Sequence, residues 1–173
     1  MRVLYIVTSA APSHAGPVTD LVTGAQAAGW QVFVVSTPLG LRFLDQARLE
    51  QQTGERVRSE FRMPGEGKEL PKADAVIAAP MTFNTINKWA AGITDNFAVG
   101  LLCELTGYGV PIVAVPMLKP ALAQHLAFRT SLGVLSQMGV RLLFDPSAPY
   151  ERRMPAWDDV LDELERATGG ASA

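Results

Sequence analysis

Ala75-Val76-Ile77-Ala78-Ala79-Pro80-Met81-Thr82-Phe83-Asn84-Thr85 passes directly from an unbroken apolar run into a turn rich in hydroxyl and amide groups. The run 75–79 shows no alternation of apolar and polar residues. Both of its faces are therefore expected to be buried, as in a parallel sheet covered by helices on each side. The turn that follows offers Thr82, Asn84 and Thr85, with Asp95 and Asn96 a little further on. Open α/β sheets take their ligands just beyond the carboxyl ends of such strands. Neutral hydrogen-bonding side chains at that place suit a polar, uncharged ligand edge or a phosphate. Each of these residues could serve simply as a helix cap. Their concentration behind one buried strand is what argues for a site.

Working outward, strands are expected over 3–8, 31–36, 56–61, 75–79, 111–115 and 140–144, with 56–61 the weakest and nearest an edge. Between the first two, Val18, Leu21, Val22, Ala25 and Ala28 recur at helical spacing, and Gly29 supplies a stop. Pro17 suits an early helical position. A short helix is expected from Thr37-Pro38-Leu39-Gly40 to Asp45, and further helices over 46–52, 84–91, 96–106, 121–138 and 158–167. Strands alternating with helices predict an α/β fold: a single Rossmann-like domain with a mostly parallel six-stranded sheet and helices on both faces. That domain is expected over 1–168, followed by a disordered tail over 169–173.

Composition narrows the function classes. The 173 residues are 48% apolar and 18% charged, enough for one domain with a substantial core. A formal net charge of −2 gives no electrostatic case for nucleic acid or an anionic membrane surface. The single cysteine, Cys103, precludes an intrachain disulfide and fits a reducing, cytoplasmic compartment. The opening run Met1-Arg2-Val3-Leu4-Tyr5-Ile6-Val7 turns polar at Thr8-Ser9, too soon for a signal sequence. No apolar run approaches the length of a membrane span.

Two further strand ends can contribute to a site. Thr8-Ser9-Ala10-Ala11 is a loop of small residues leading toward a helix, where backbone amides and the helix dipole favour an anion. It is not a Gly-x-Gly-x-x-Gly fingerprint, and an ordinary tight turn reads equally well. Ser36-Thr37 stands where a dinucleotide site places an acidic residue, which disfavours NAD and is compatible with phosphate. His14 lies in the first loop. His125, at helical spacing from Ala121 and Arg129, reads as structural. Two distant histidines and one cysteine provide no metal-ligand spacing, so no metal is expected. Cys103 shares a helical face with Val99, Leu102 and Thr106 and reads as a buried, inert thiol.

With Pro80, Thr82, Asn84 and Thr85 followed by Gly92, Asp95 and Asn96, the chain resembles the family of homo-oligomeric flavin-containing cysteine decarboxylases. That family includes phosphopantothenoylcysteine decarboxylase and the peptide decarboxylases of lantibiotic-type pathways. Its members show a Pro-x-Ser-Ala-Asn-Thr segment here and then Gly-x-x-Asp-Asn. Thr82 stands for the Ser and keeps the hydroxyl; Phe83 stands for the Ala. The resemblance spans roughly 1–144.

The resemblance implies FMN as cofactor, a small-molecule or peptide substrate carrying cysteine, and a homo-oligomer, a trimer or multiple of trimers. By position, Ser9 and Ala10 would line the flavin, Ser36 and Thr37 would hold the phosphate, and Phe43 would pack nearby. Thr82, Phe83, Asn84 and Thr85 would meet the flavin or its phosphate, and Val115 and Met117 would lie against it. Family decarboxylases oxidise a thiol-bearing cysteine to a thioaldehyde that then loses CO2. Two of their motifs are altered here. The stretch that carries their catalytic His reads Gly65-Glu66-Gly67-Lys68, and the segment with their substrate-holding Asn reads Pro116-Met117-Leu118-Lys119. His14 and Glu66 are the candidates left for an acid or base. A non-catalytic flavin-binding or regulatory subunit is the alternative, and a flavin prenyltransferase, whose Gly-Ala-Ser-Gly loop is absent, a lower one.

Overall fold

The computed structural model describes residues 1–61, 63, 65 and 69–169. Glu66 and 170–173 lie outside the described residues. Along the chain come β1 (Arg2–Thr8), α1 (Val18–Ala27), β2 (Trp30–Ser36), a 3-10 turn (Gly40–Phe43) and α2 (Gln46–Thr53). Next are β3 (Ala75–Met81), α3 (Phe83–Ala90), α4 (Phe97–Gly107) and β4 (Ile112–Pro116). The chain ends with α5 (Pro120–Ala123), α6 (Leu126–Gln137), β5 (Arg141–Leu142), a second 3-10 turn (Tyr150–Arg152) and α7 (Trp157–Gly169).

The sheet has five strands in the order β2-β1-β3-β4-β5, and every pairing is parallel. The expectation of six strands is therefore corrected. Residues 56–61 form no strand: contact with β2 is a single bridge between Val35 and Arg58, held by Ser36 N–H to Arg58 O at 2.7 Å and Arg58 N–H to Val34 O at 3.1 Å. Of the two apolar side chains in 56–61, Val57 and Phe61, Phe61 stays largely exposed and turns to Phe97, so packing does not extend the ladder beyond that bridge. β5 is also shorter than expected, although Leu143 N–H continues its ladder to Ala114 O at 2.9 Å. Gly169, assigned to the tail, ends α7.

Parallel strands buried on both faces explain the apolar runs. β3 is buried at every position, and its side chains divide between two cores. Val76 and Ala78 join Val3, Tyr5 and Val7 beneath α3, α4 and α6; Ala75, Ile77 and Ala79 join Leu4, Ile6 and Val113 beneath α1, α2 and α7. The chain runs from β1 outward to β2, then returns to β3 and proceeds the other way to β5. The reversal lies between β1 and β3, and their carboxyl ends form the crevice typical of this topology.

The helix expected over 121–138 is two helices. α5 stops at Ala123, and His125 caps α6 by accepting the Ala127 N–H on Nδ1 at 3.1 Å. A side chain able to bond its own neighbouring backbone competes with the continuing helix. His125 is therefore a cap and not a mid-helix residue.

Candidate functional site at the carboxyl edge of the sheet

Ser9 occupies the reversal point. Buried at the end of β1, its hydroxyl donates to Pro80 O at 3.0 Å and accepts from Thr82 N–H at 2.8 Å, while its own N–H also reaches Pro80 O at 3.1 Å. These bonds fasten the β1–α1 loop to the β3–α3 turn. Across the same edge, Thr8 Oγ1 donates to Ser36 Oγ at 3.1 Å and Thr37 N–H to Thr8 O at 3.0 Å, tying β1 to the end of β2. Met117 N–H donates to Met81 O at 2.8 Å and ties β4 to β3. Four strand ends thus form one continuous polar rim.

The rim is closely packed around Gly40. A Cβ there would stand 2.5 Å from Ser36 Oγ, 2.8 Å from Thr37 Oγ1 and 3.1 Å from the backbone carbon of Ser9. Gly40 N–H donates to Thr37 Oγ1 at 3.1 Å. At α3, Thr82 is the N-cap, accepting Thr85 N–H at 3.2 Å, and its hydroxyl shares a hydrogen bond with Thr85 Oγ1 at 2.9 Å. A hydroxyl that accepts in this way still has a proton to donate. Asn84, exposed on the first turn of α3, makes no side-chain hydrogen bond among the described residues. Its amide is free to donate and accept. α1 begins at Pro17 with no side-chain cap, which leaves first-turn amides open.

A pocket of about 160 Å3 opens beside this rim, lined by Thr8, Ser9, Ser13, Gly16, Phe43 and Pro80 among others. Ser9, Ala10, Ser36, Thr37, Phe43, Thr82, Asn84 and Thr85 lie along the rim. Phe43 is largely exposed at its margin. Val115 and Met117 are buried in the core on the α1, α2 and α7 side. The backbone of Met117 reaches the rim; its side chain is packed beneath it. Phe83 turns toward α6: its ring meets His125 edge-on at 5.6 Å and stacks on Phe128 at 6.2 Å. His14 is exposed and lies edge-on to Tyr150 at 5.1 Å.

Asp95 and Asn96 belong to the turn between α3 and α4. Lys88 pairs with Asp95, and that hydrogen bond holds the carboxyl below its ordinary value. Asn96 caps α4 by accepting Val99 N–H at 3.1 Å. Cys103 is half-buried, with its thiol pushed up by burial. Among the described residues no group of three His, Cys, Asp or Glu could hold a metal ion, and no helix is long and apolar enough to cross a membrane.

Arg153 escaped the sequence reading. It is 6% exposed and lies over the Phe144 ring at 5.3 Å. It donates from one terminal nitrogen to Leu118 O and from the other to Ala148 O, both at 3.1 Å. Its sequence context, Glu151-Arg152-Arg153, gives no sign of which arginine turns inward.

A doubly wound parallel sheet with a hydroxyl-rich rim at its reversal point defines the class. The family model described as Flavoprotein matches residues 1–169, and the chain belongs to that family. It is 34% identical over 71 residues to a cysteine/cysteine sulfinic acid decarboxylase from an unknown prokaryotic organism. That match covers 41% of this chain, and it spans only 19% of the length of that curated relative. The fold is shared with HAL3 from Cryptococcus neoformans (TM-score 0.78, 22% identity, 100% of this chain and 99% of that one). It is also shared with the FMN-dependent cysteine decarboxylase TvaF from thioviridamide biosynthesis (TM-score 0.74, 21% identity, 98% and 99%).

Proposed function

We propose that this flavoprotein binds FMN at the carboxyl edge of its sheet and acts as a flavin-dependent decarboxylase on a cysteine-containing small molecule or peptide. The observation that carries the reading is Ser9, whose hydroxyl joins the β1 and β3 loops at the topological reversal. The donor set fits the cofactor. Thr37, whose hydroxyl accepts Gly40 N–H and keeps its proton, suits a phosphate together with the uncapped start of α1, while Ser36, fully buried and donating to Thr37 O at 3.0 Å, fixes that turn from beneath. Thr82, Thr85 and the free amide of Asn84 suit the mixed donor and acceptor edge of a flavin ring. When bound, FMN would supply the two-electron redox chemistry that these side chains lack.

Pockets for ligands of this size usually span about 300–1,000 Å3. The pocket of about 160 Å3 encloses part of such a ligand. The rest would lie along the open rim beside Asn84, where a second copy of the chain in a homo-oligomer would cover it. Among this chain's own groups, Thr82 and Thr85 would orient the ligand, while Ser9, its hydroxyl proton given to Pro80 O, holds the two loops that carry them; His14 lies outside the pocket lining, against Tyr150.

The second reading, a flavin-binding subunit without catalysis, is favoured by one feature: the β4–α5 segment reads Pro116-Met117-Leu118-Lys119 where family decarboxylases carry Pro-x-Met-Asn, so no Asn is there to meet a substrate carboxylate. The visible spectrum of the purified protein tests the common part of both. Flavin bands near one per chain are expected; a colourless protein that FMN cannot reconstitute defeats both. Incubation with cysteine-ended peptides and pantothenoyl cysteine, followed by mass for loss of CO2, separates them. Asn84→Ala is expected to weaken FMN binding about tenfold, the equivalent of one hydrogen bond to a polar ligand. Unchanged retention places the flavin elsewhere.

A further inference from the structure

A buried guanidinium is an expensive element of a fold. Charges removed from water are poor stabilisers unless fully paired, and an apolar side chain of similar volume often does as well or better. Arg153 is buried, yet among the described residues it forms no ion pair at contact distance; the Asp145 carboxyl, lowered first by its hydrogen bonds from Ser147, feels the guanidinium charge only at longer range. Its two terminal nitrogens end on backbone carbonyls, and its Nε is a buried donor with no acceptor. Stability alone therefore gives a weak reason for arginine at this position.

The contacts supply a stronger one. Leu118 O belongs to the β4–α5 segment, directly after Met117, whose N–H completes the rim at Met81. Ala148 O belongs to the loop between β5 and α7, whose Tyr150 meets His14 of the β1–α1 loop. Phe144, under the guanidinium, packs edge-on against Phe128 at 5.2 Å, and Phe128 stacks on Phe83 at the start of α3. One side chain thus touches the β4–α5 segment directly and reaches α3 through three rings. It also holds the loop that braces the β1–α1 loop.

We propose that Arg153 is a positioning residue of the carboxyl-edge site, whose two-pronged guanidinium fixes the β4–α5 segment relative to α3 and the first loop. The role in ligand binding rests on the FMN reading above; the role in ordering the segment does not. A lysine would keep the charge but present one compact ammonium in place of a planar fork, and it cannot replace the geometry.

The test compares Arg153→Met and Arg153→Lys with wild type, and with Arg152→Met, an exposed neighbour, as control. Two quantities are measured: amide hydrogen exchange at Met117, Leu122 and Ala123, and the FMN dissociation constant by flavin fluorescence. Both Arg153 variants are expected to speed exchange at these amides at least tenfold while β1 amides stay unchanged, and to raise the dissociation constant at least tenfold. A shift of the bound-flavin absorption maximum should accompany the weaker binding. Exchange and affinity within twofold of wild type in Arg153→Lys would overturn the proposal, and that variant decides the matter even where Arg153→Met does not fold. Should wild type bind no FMN, the functional reading fails by itself, and the exchange rates still decide whether Arg153 orders the segment.

Discussion

Two concave regions of this molecule are built from opposite materials. The pocket at the carboxyl edge is small, about 160 Å3, and its polar groups are hydroxyls and backbone. The cleft along α4 is larger, about 880 Å3, and is lined by charges of both signs, including Arg58, Lys72, Glu60 and Glu104. Volume alone would choose the second. Yet its polar groups already serve the fold: Asp74 accepts Val3 N–H at 2.7 Å, and the Tyr5 hydroxyl donates to Pro71 O. The smaller pocket lies where four strand ends converge and where the winding order of the parallel sheet reverses. There the sheet itself brings together loops that are far apart in the chain. Convergence of four strand ends, with the free amide of Asn84 beside them, and not empty space, marks the better candidate.

The severest way to break this comparison is Gly40→Val. The added carbons would meet Ser36 Oγ, Thr37 Oγ1 and the Ser9 backbone. Overpacking of this kind costs about 1–3 kcal/mol, and FMN affinity should fall about a hundredfold, since the β1–α1 loop and the segment after β2 must both move. Calorimetric melting and flavin titration check both. A destabilised protein with normal FMN affinity would move the site away from this rim.

Thr82→Ala sharpens the comparison at lower cost. It removes the α3 cap, worth about 1 kcal/mol, together with the hydroxyl shared with Thr85. FMN affinity should drop about tenfold and return in Thr82→Ser, as read by equilibrium titration.

The smallest effect is expected in the cleft. Tyr5→Phe removes one hydrogen bond, a loss of about 1 kcal/mol, and should leave FMN affinity within about twofold. Burial pushes the Tyr5 hydroxyl from about 10 up to about 12, with Arg58 offsetting part of the rise. Because the folded state holds this proton more tightly, its contribution is complete below pH 10 and is lost as pH rises through 12. Denaturant midpoints between these values should therefore fall more steeply for wild type than for Tyr5→Phe. An FMN affinity that follows Tyr5→Phe would make the cleft part of the site.

Much of the fold was legible because burial leaves a direct mark on residue type. The apolar runs of β1, β2, β3 and β4 carry it, as does Thr82 at the head of α3. Segment 56–61 misled because Val35 supplies an edge that any short extended chain can touch, and one bridge does not make a strand. His125 misled because helical spacing on either side continues across a break that its own ring creates. Arg153 was illegible for a different reason. Its burial depends on Phe144 and Leu118 O, one on the strand side of its own loop and one across the sheet edge.

The amino-acid sequence by itself determined a parallel sheet layered between helices and the hydroxyls gathered behind β3, but not the number of strands, which is five and not six. These follow from local pattern, since apolar runs must be buried and small polar residues must turn the chain. Only the tertiary structure decided that Ser9 bonds to Pro80 and Thr82, that Gly40 has no room for a side chain, and that Arg153 turns inward while Arg152 stays exposed. Those outcomes depend on contacts between residues distant in the chain, and the free energy of such a contact has no expression in either partner's neighbours.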